Sequence, residues 1–255
     1  MSRKLLLIPV LMILMIVLAG CGMEDSGLMK PIDPENGFWD RYFVFPLAWL
    51  LEYFATTLNS SGDPAFDMYG LAIIIVTILL RLLTLPLMIK QLKSSKMMQA
   101  LQPEMQKIRE KYQKDQQKMQ QETMKLFQSH NVNPLAGCLP LLVQMPILIA
   151  FYQAVYRHSD IPGHTFLGIE LGQPFWGLAI LAGITTYIQQ KMMGTQQMNP
   201  QMKVLLVIMP VMITVFAFYF PAALSLYWVV GNLFTIVQYY FMRDMYKLKT
   251  GDAAK

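Results

Sequence analysis

Long apolar blocks dominate the chain, and five of them follow residue 67: Met68–Ile89, Pro134–Tyr156, Pro174–Gln190, Val204–Phe220 and Leu224–Met242. A helix needs about 20 residues to cross roughly 30 Å of hydrocarbon. Each block therefore predicts a membrane-spanning helix. Phe38–Phe54 is also aromatic and apolar, but Asp40, Arg41 and Glu52 leave only Tyr42–Leu51 free of charge. That is too short to cross. It predicts an amphipathic helix lying in the outer interface, with Trp39, Tyr42, Trp49 and Tyr53 at the headgroup level. Asn59–Pro64 reads as a polar breaker. In Lys90–Asn133, the one long polar stretch, Met98, Leu101, Met105 and Ile108 recur at three- and four-residue steps. This predicts two helices packed as a hairpin that turns near Gln113–Gln117.

Composition agrees with lipid exposure. Of 255 residues, 55% are hydrophobic and 15% charged, whereas a soluble domain carries about 25% charged residues. Mean hydropathy is +0.37. The net charge of +5 does not point to nucleic acid, because membrane proteins gather Lys and Arg in their cytoplasmic loops. The distribution is informative. Lys90, Lys93, Lys96, Lys107, Arg109, Lys111, Lys114, Lys118 and Lys125 outweigh Glu104, Glu110, Asp115 and Glu122 in the 90–133 hairpin, and Lys247, Lys249 and Lys255 make the tail from Arg243 basic. Both belong inside. Five crossings that start outside end inside, so span number and charge bias agree. No internal repeat is visible, which argues against a transporter of paired halves.

The N-terminus reads as an address. Arg3 and Lys4 precede the apolar Leu5–Leu18, and Leu18-Ala19-Gly20-Cys21 follows. That is a secretory signal, and its last tetrapeptide resembles a lipobox. Residues 1–20 would be removed and Cys21 would become the lipid-bearing first residue, held at the outer leaflet by about 0.8 kcal/mol per buried methylene. The competing reading is an uncleaved anchor with an incidental cysteine. The domain plan is then 21–67, a lipidated external segment with its interfacial helix; 68–242, the five-span core; and 243–255, the internal tail.

One charge is out of place. Arg81 interrupts the first span, where an arginine costs roughly 2.5–3.5 kcal/mol on translocon scales. Such a residue usually pairs with an acid or faces water, yet the other four spans contain no Asp or Glu. Neutral polar groups are at hand instead: Thr77 one turn earlier on the same face, then Gln144, Gln189, Gln190, Asn232 and Gln238. The inference is a hydrated recess with one unpaired positive charge, open to an anionic visitor. Against it stands an arginine that snorkels to the headgroups, some 12 Å along the helix from Arg81 to Ile89 at 1.5 Å per residue.

These pieces resemble the YidC/Oxa family of membrane protein insertases. The resemblance rests on Thr77-Ile-Leu-Leu-Arg81, Leu101-Gln-Pro-Glu-Met-Gln-Lys-Ile-Arg109, Asn133-Pro-Leu-Ala-Gly-Cys-Leu-Pro-Leu-Leu-Val-Gln-Met-Pro146, Ile188-Gln-Gln-Lys191 and Leu226-Tyr-Trp-Val-Val-Gly-Asn-Leu-Phe-Thr-Ile-Val-Gln238, which occur in family order. The lipobox and the lack of a large external domain look like the Gram-positive lipoprotein form. The resemblance implies an all-α polytopic fold: five spans around a hydrophilic groove open to cytoplasm and lipid and closed outside. It implies nascent membrane proteins as clients and maps the family arginine to Arg81, its groove threonine to Thr77, the third-span glutamine to Gln190 and the fifth-span aromatic to Trp228, where many relatives carry Tyr. Gln144 and Asn232 complete the expected client-binding set. A ribosome or general translocon partner is supported by resemblance alone, since positive-inside topology equally explains the basic hairpin and tail.

Other classes fit less well. An anion channel or transporter would also use a lone arginine, but would want a continuous polar path. His130, His158 and His164 are the only histidines, and none lies in a membrane cluster with metal-ligand character. His158 and His164 share the external loop 157–173 and are expected to be solvated. No Gly-x-x-x-x-Gly-Lys-Ser/Thr loop appears. A non-enzyme without metal or cofactor is expected. Cys138 is expected on the cytoplasmic side, out of reach of Cys21. Most of the 21 methionines read as gap-fillers, with Met97, Met98, Met105, Met119 and Met124 of the hairpin as candidates for client contact.

Overall fold

The computed structural model describes residues 31–35, 37–59, 68–130, 132, 139–158, 161–193 and 200–242. The signal segment 1–20, Cys21, most of the expected breaker, the Asn133–Cys138 part of the motif and the tail 243–255 lie outside the described residues.

The described residues are helical almost throughout. A π-helical turn, Asp40–Val44, leads into α1 (Phe45–Leu58), which has Pro46 in its first turn, a position where a missing N–H costs nothing. Then follow α2 (Tyr69–Ala100), α3 (Gln102–Lys111), α4 (Gln116–Ser129) and α5 (Leu139–Tyr156). A 3-10 turn, Ile161–Gly163, precedes a two-stranded hairpin, β1 (Thr165–Phe166) with β2 (Ile169–Glu170), antiparallel and in the register Thr165–Glu170. The bundle ends with α6 (Trp176–Met192), α7 (Pro200–Ala217) and α8 (Ala222–Met242).

Several boundaries differ from the sequence expectation. The first apolar helix does not stop at Ile89: α2 continues to Ala100, because nothing after Ile89 breaks a helix and Pro103 is the first residue that favours a new start. The hairpin helices are α3 and α4, and Asp115 caps α4 by accepting from the Lys118 N–H at 3.0 Å. The last helix, α8, begins at Ala222, two residues before the expected Leu224. The loop 157–173 is folded, and its histidines pack on Tyr69, with ring centroids 5.7 Å (His158) and 4.8 Å (His164) away.

The β1–β2 hairpin caps one end of the bundle. Leu171 and Gln173 offer their carbonyls to the first N–H groups of α8, at 3.1 Å for Ala223 and 2.8 Å for Ala222. Those donors have no partner within the helix. Phe166 covers Gly70, where a β-carbon would collide with the ring. The second small core lies at the opposite end, where Leu101, Phe127 and Val132 hold α3 against α4. On α4 the exposed Glu122 carboxylate meets Lys125 at 2.8 Å; that hydrogen bond lowers the Glu122 pKa and raises that of Lys125.

Candidate functional site

Packing is uneven along the bundle. At the capped end α2 buries Tyr69, Ala72, Ile73, Val76 and Thr77, α5 buries Ala150, Phe151, Gln153, Ala154 and Val155, and α8 is buried without a gap from Ala222 to Val229. Toward the α3–α4 end the same helices loosen. Leu79, Leu82 and Leu83 of α2 and Leu233, Val237, Tyr240 and Phe241 of α8 are exposed, and no described side chain of α5 before Ala150 is buried. Side-chain packing, which holds helices together in a membrane, is therefore closer in the capped half of α2, α5 and α8, and the other half of these helices is more open.

Arg81 sits where one regime gives way to the other, half-buried, one helical turn beyond the fully buried Thr77. Among the described residues it makes neither an ion pair nor a hydrogen bond to an acid. Its guanidinium lies against Gly231 of α8: a β-carbon built there would stand 3.0 Å from Nε and 3.1 Å from Cζ, and closer still to Nη2. One turn before Gly231, Tyr227 is buried, stacks on Phe151 with centroids 4.5 Å apart and accepts a hydrogen bond from the Gln144 amide. Arg81, Gln144, Tyr227 and Gly231 thus converge from α2, α5 and α8.

The remaining expected site residues are placed differently. Thr77 donates its hydroxyl to the Ile73 carbonyl at 2.6 Å. Asn232 donates to Thr186 Oγ1 at 2.8 Å and Thr185 Oγ1 at 3.1 Å, so its amide ties α8 to α6. It does not serve Arg81. Trp228 is buried on α8, and Gln190 lies half-buried near the far end of α6. The sequence reading missed Tyr227 and Gly231. The available signal was a glycine inside an apolar helix, with a tyrosine one turn earlier on the same face.

It also missed a clamp. Arg157, just after α5, donates Nη1 to Asp40 Oδ1 at 2.8 Å and Nη2 to Asp40 Oδ2 at 2.6 Å, with both side chains nearly buried, and Nη2 also reaches the Pro31 carbonyl at 3.1 Å. One turn earlier on α5, Gln153 accepts from Trp39 Nε1 at 3.0 Å. Trp39, expected at the outer interface, and Asp40 both face α5. The outward face of the same helix carries Phe38, Tyr42, Phe45, Trp49 and Tyr53, all exposed.

Comparison with known proteins places the chain. Residues 61–250 match the family described as 60Kd inner membrane protein. The chain is 55% identical to membrane protein insertase YidC 1 of Halalkalibacterium halodurans, over 95% of this chain and 92% of that protein. It is 54% identical to membrane protein insertase MisCA of Bacillus subtilis, with the same coverage. Against membrane protein insertase YidC 2 of Bacillus anthracis, it is 52% identical over the whole of both chains. Its fold is similar to a crystal structure of active YidC insertase with the first transmembrane domain resolved, at a TM-score of 0.64 and 25% identity, covering 81% of this chain and 47% of that one. The chain is therefore a member of the 60Kd inner membrane protein family, and the relatives it matches are membrane protein insertases.

Proposed function

We propose that the protein is a membrane protein insertase that receives client segments from the cytoplasm beside Arg81 and releases them into the bilayer. The observation that carries this is a half-buried guanidinium with no carboxylate partner among the described residues, at the mouth of the more open half of the bundle. A charge in that place attracts acidic or polar client tails and lowers the cost of moving them below the lipid surface. The client's apolar segment then slides along α6 and α8, and its hydrophobicity supplies most of the drive. Gln144 and Gln190 extend the groove in this reading, while Thr77 and Trp228 pack in the closed end behind it. Asn232 contributes by fixing α8 on α6.

Among the described residues, two helices, Tyr69–Met98 within α2 and Ala222–Met242, are long and apolar enough to cross a membrane, and Val143–Tyr156 and Leu206–Ala217 are shorter apolar helices. We read α2, α5, α6, α7 and α8 as the five crossings. The capped end then lies outside, with Cys21 carrying a lipid anchor, and α3–α4 and the tail lie inside, where nascent clients, the ribosome and the general translocon would be met.

The test is insertion into reconstituted vesicles of two clients that differ only in an acidic or a neutral tail. Arg81→Ala lowers insertion of the acid-tailed client by about tenfold, equivalent to ~1.4 kcal/mol, and Arg81→Lys keeps part of it. Full activity of the alanine variant refutes the mechanism. Chloride flux through client-free vesicles would instead mark an anion channel.

A further inference from the structure

Arg81 projects from α2, yet the surface it rests on belongs to α8. We propose that Gly231 and Tyr227 form a cradle that sets the position of the Arg81 guanidinium, and that this position decides how strongly the protein favours acidic client tails. The proposal rests on the reading of Arg81 as the client-attracting charge.

Three observations carry it. Gly231 is buried in the middle of α8, and the space a side chain would fill is taken by Nη2, Nε and Cζ of Arg81. A glycine there is otherwise unfavourable, by roughly 1 kcal/mol relative to alanine in a helix interior, so the slot has a use. Tyr227 lies one turn away on the same face and is held rigidly. Its ring is stacked on Phe151, and its hydroxyl oxygen accepts from Gln144. The pair therefore offers the planar cation a flat slot backed by a rigid ring, and an arginine with four side-chain torsions is kept from wandering toward the headgroups. A client carboxylate then meets the guanidinium at a fixed place.

Two variants separate this from a merely structural role. Gly231→Ala improves helix propensity and obstructs only the end of a flexible side chain, so the bundle survives while the guanidinium is pushed out of its slot. Tyr227→Phe keeps the stack on Phe151 and deletes the hydroxyl. Two readouts are taken on the full-length protein in vesicles. The first is the ratio of acid-tailed to neutral-tailed client inserted, which damage to the fold alone would leave unchanged. The second is the rate at which phenylglyoxal modifies Arg81, read by mass spectrometry of its peptide.

In Gly231→Ala the labelling rate rises and the ratio falls, by less than the about tenfold loss expected of Arg81→Ala. In Tyr227→Phe the ratio falls less, and the labelling rate rises less. If the ratio falls in Arg81→Ala but stays at the parent value in Gly231→Ala, the cradle is overturned and the role of Arg81 stands. If the ratio stays unchanged in Arg81→Ala, the role of Arg81 fails, and an unchanged labelling rate in Gly231→Ala then overturns the cradle independently.

Discussion

Asn232 and Gln144 look alike in the sequence, each an amide in an apolar helix, and the pattern assigns both to water around Arg81. Their neighbours divide them. Gln144 reaches Tyr227 beside Arg81, whereas Asn232 bridges to Thr185 and Thr186. The difference is a rotation about the helix axis, which depends on what packs against each face and is invisible in a run of apolar letters. Arg81 itself was legible, because a charge in hydrocarbon is conspicuous whichever way it turns. Asn232→Ala should lower stability by about 1 kcal/mol, the scale of an interhelical hydrogen bond in a membrane. The loss stays modest because Thr185 and Thr186 keep their own carbonyl acceptors on α6, Leu181 and Ala182. Thermal inactivation in detergent measures it. A variant of unchanged stability that has lost acid-tailed insertion would return Asn232 to the groove.

At the scale of elements, the helix before α2 was legible from its aromatic pattern, and its inward face was not. Asp40 reads as solvent-bound until Arg157 is found beside it, 117 positions away. The π-helical turn at Asp40–Val44 widens the coil where Trp39 and Asp40 both meet α5, a local irregularity of the kind that re-aims side chains. Removing one partner of a nearly buried ion pair strands the other charge, at about 3–5 kcal/mol. Asp40→Asn should therefore destabilise the protein on that scale, and Asp40→Asn combined with Arg157→Gln should recover much of the loss, because neither charge is then left alone. Unfolding of the four proteins in detergent checks the cycle. Additive losses would mean that the pair is not coupled.

For the whole molecule, the span pattern and charge bias were enough to outline a helical membrane bundle, while the closer packing at one end and the opening at the other emerged only from the structure. The apolar blocks read the same along their length, and lipid and protein neighbours leave no different mark on Leu or Val. The asymmetry has an energetic corollary. In the proposed orientation, a carboxylate drawn past Arg81 toward the capped side moves outward through the membrane field, which contributes about 2.3 kcal/mol per charge at 100 mV, negative inside. Dissipating that potential with an ionophore should slow the acid-tailed client and leave the neutral-tailed one nearly unaffected; equal slowing of both would contradict the charge-based route.

The unbroken run of α2 has a mechanical meaning. Its 32 residues make a rod of roughly 48 Å at 1.5 Å per residue, with Arg81 partway along and the α3–α4 pair hinged to its far tip. Pro86 lies inside that rod, and its ring denies the backbone one hydrogen bond just past the arginine. Whatever tugs on the tip holds a lever with an elbow, and the part it swings most easily is the segment just beyond the cation.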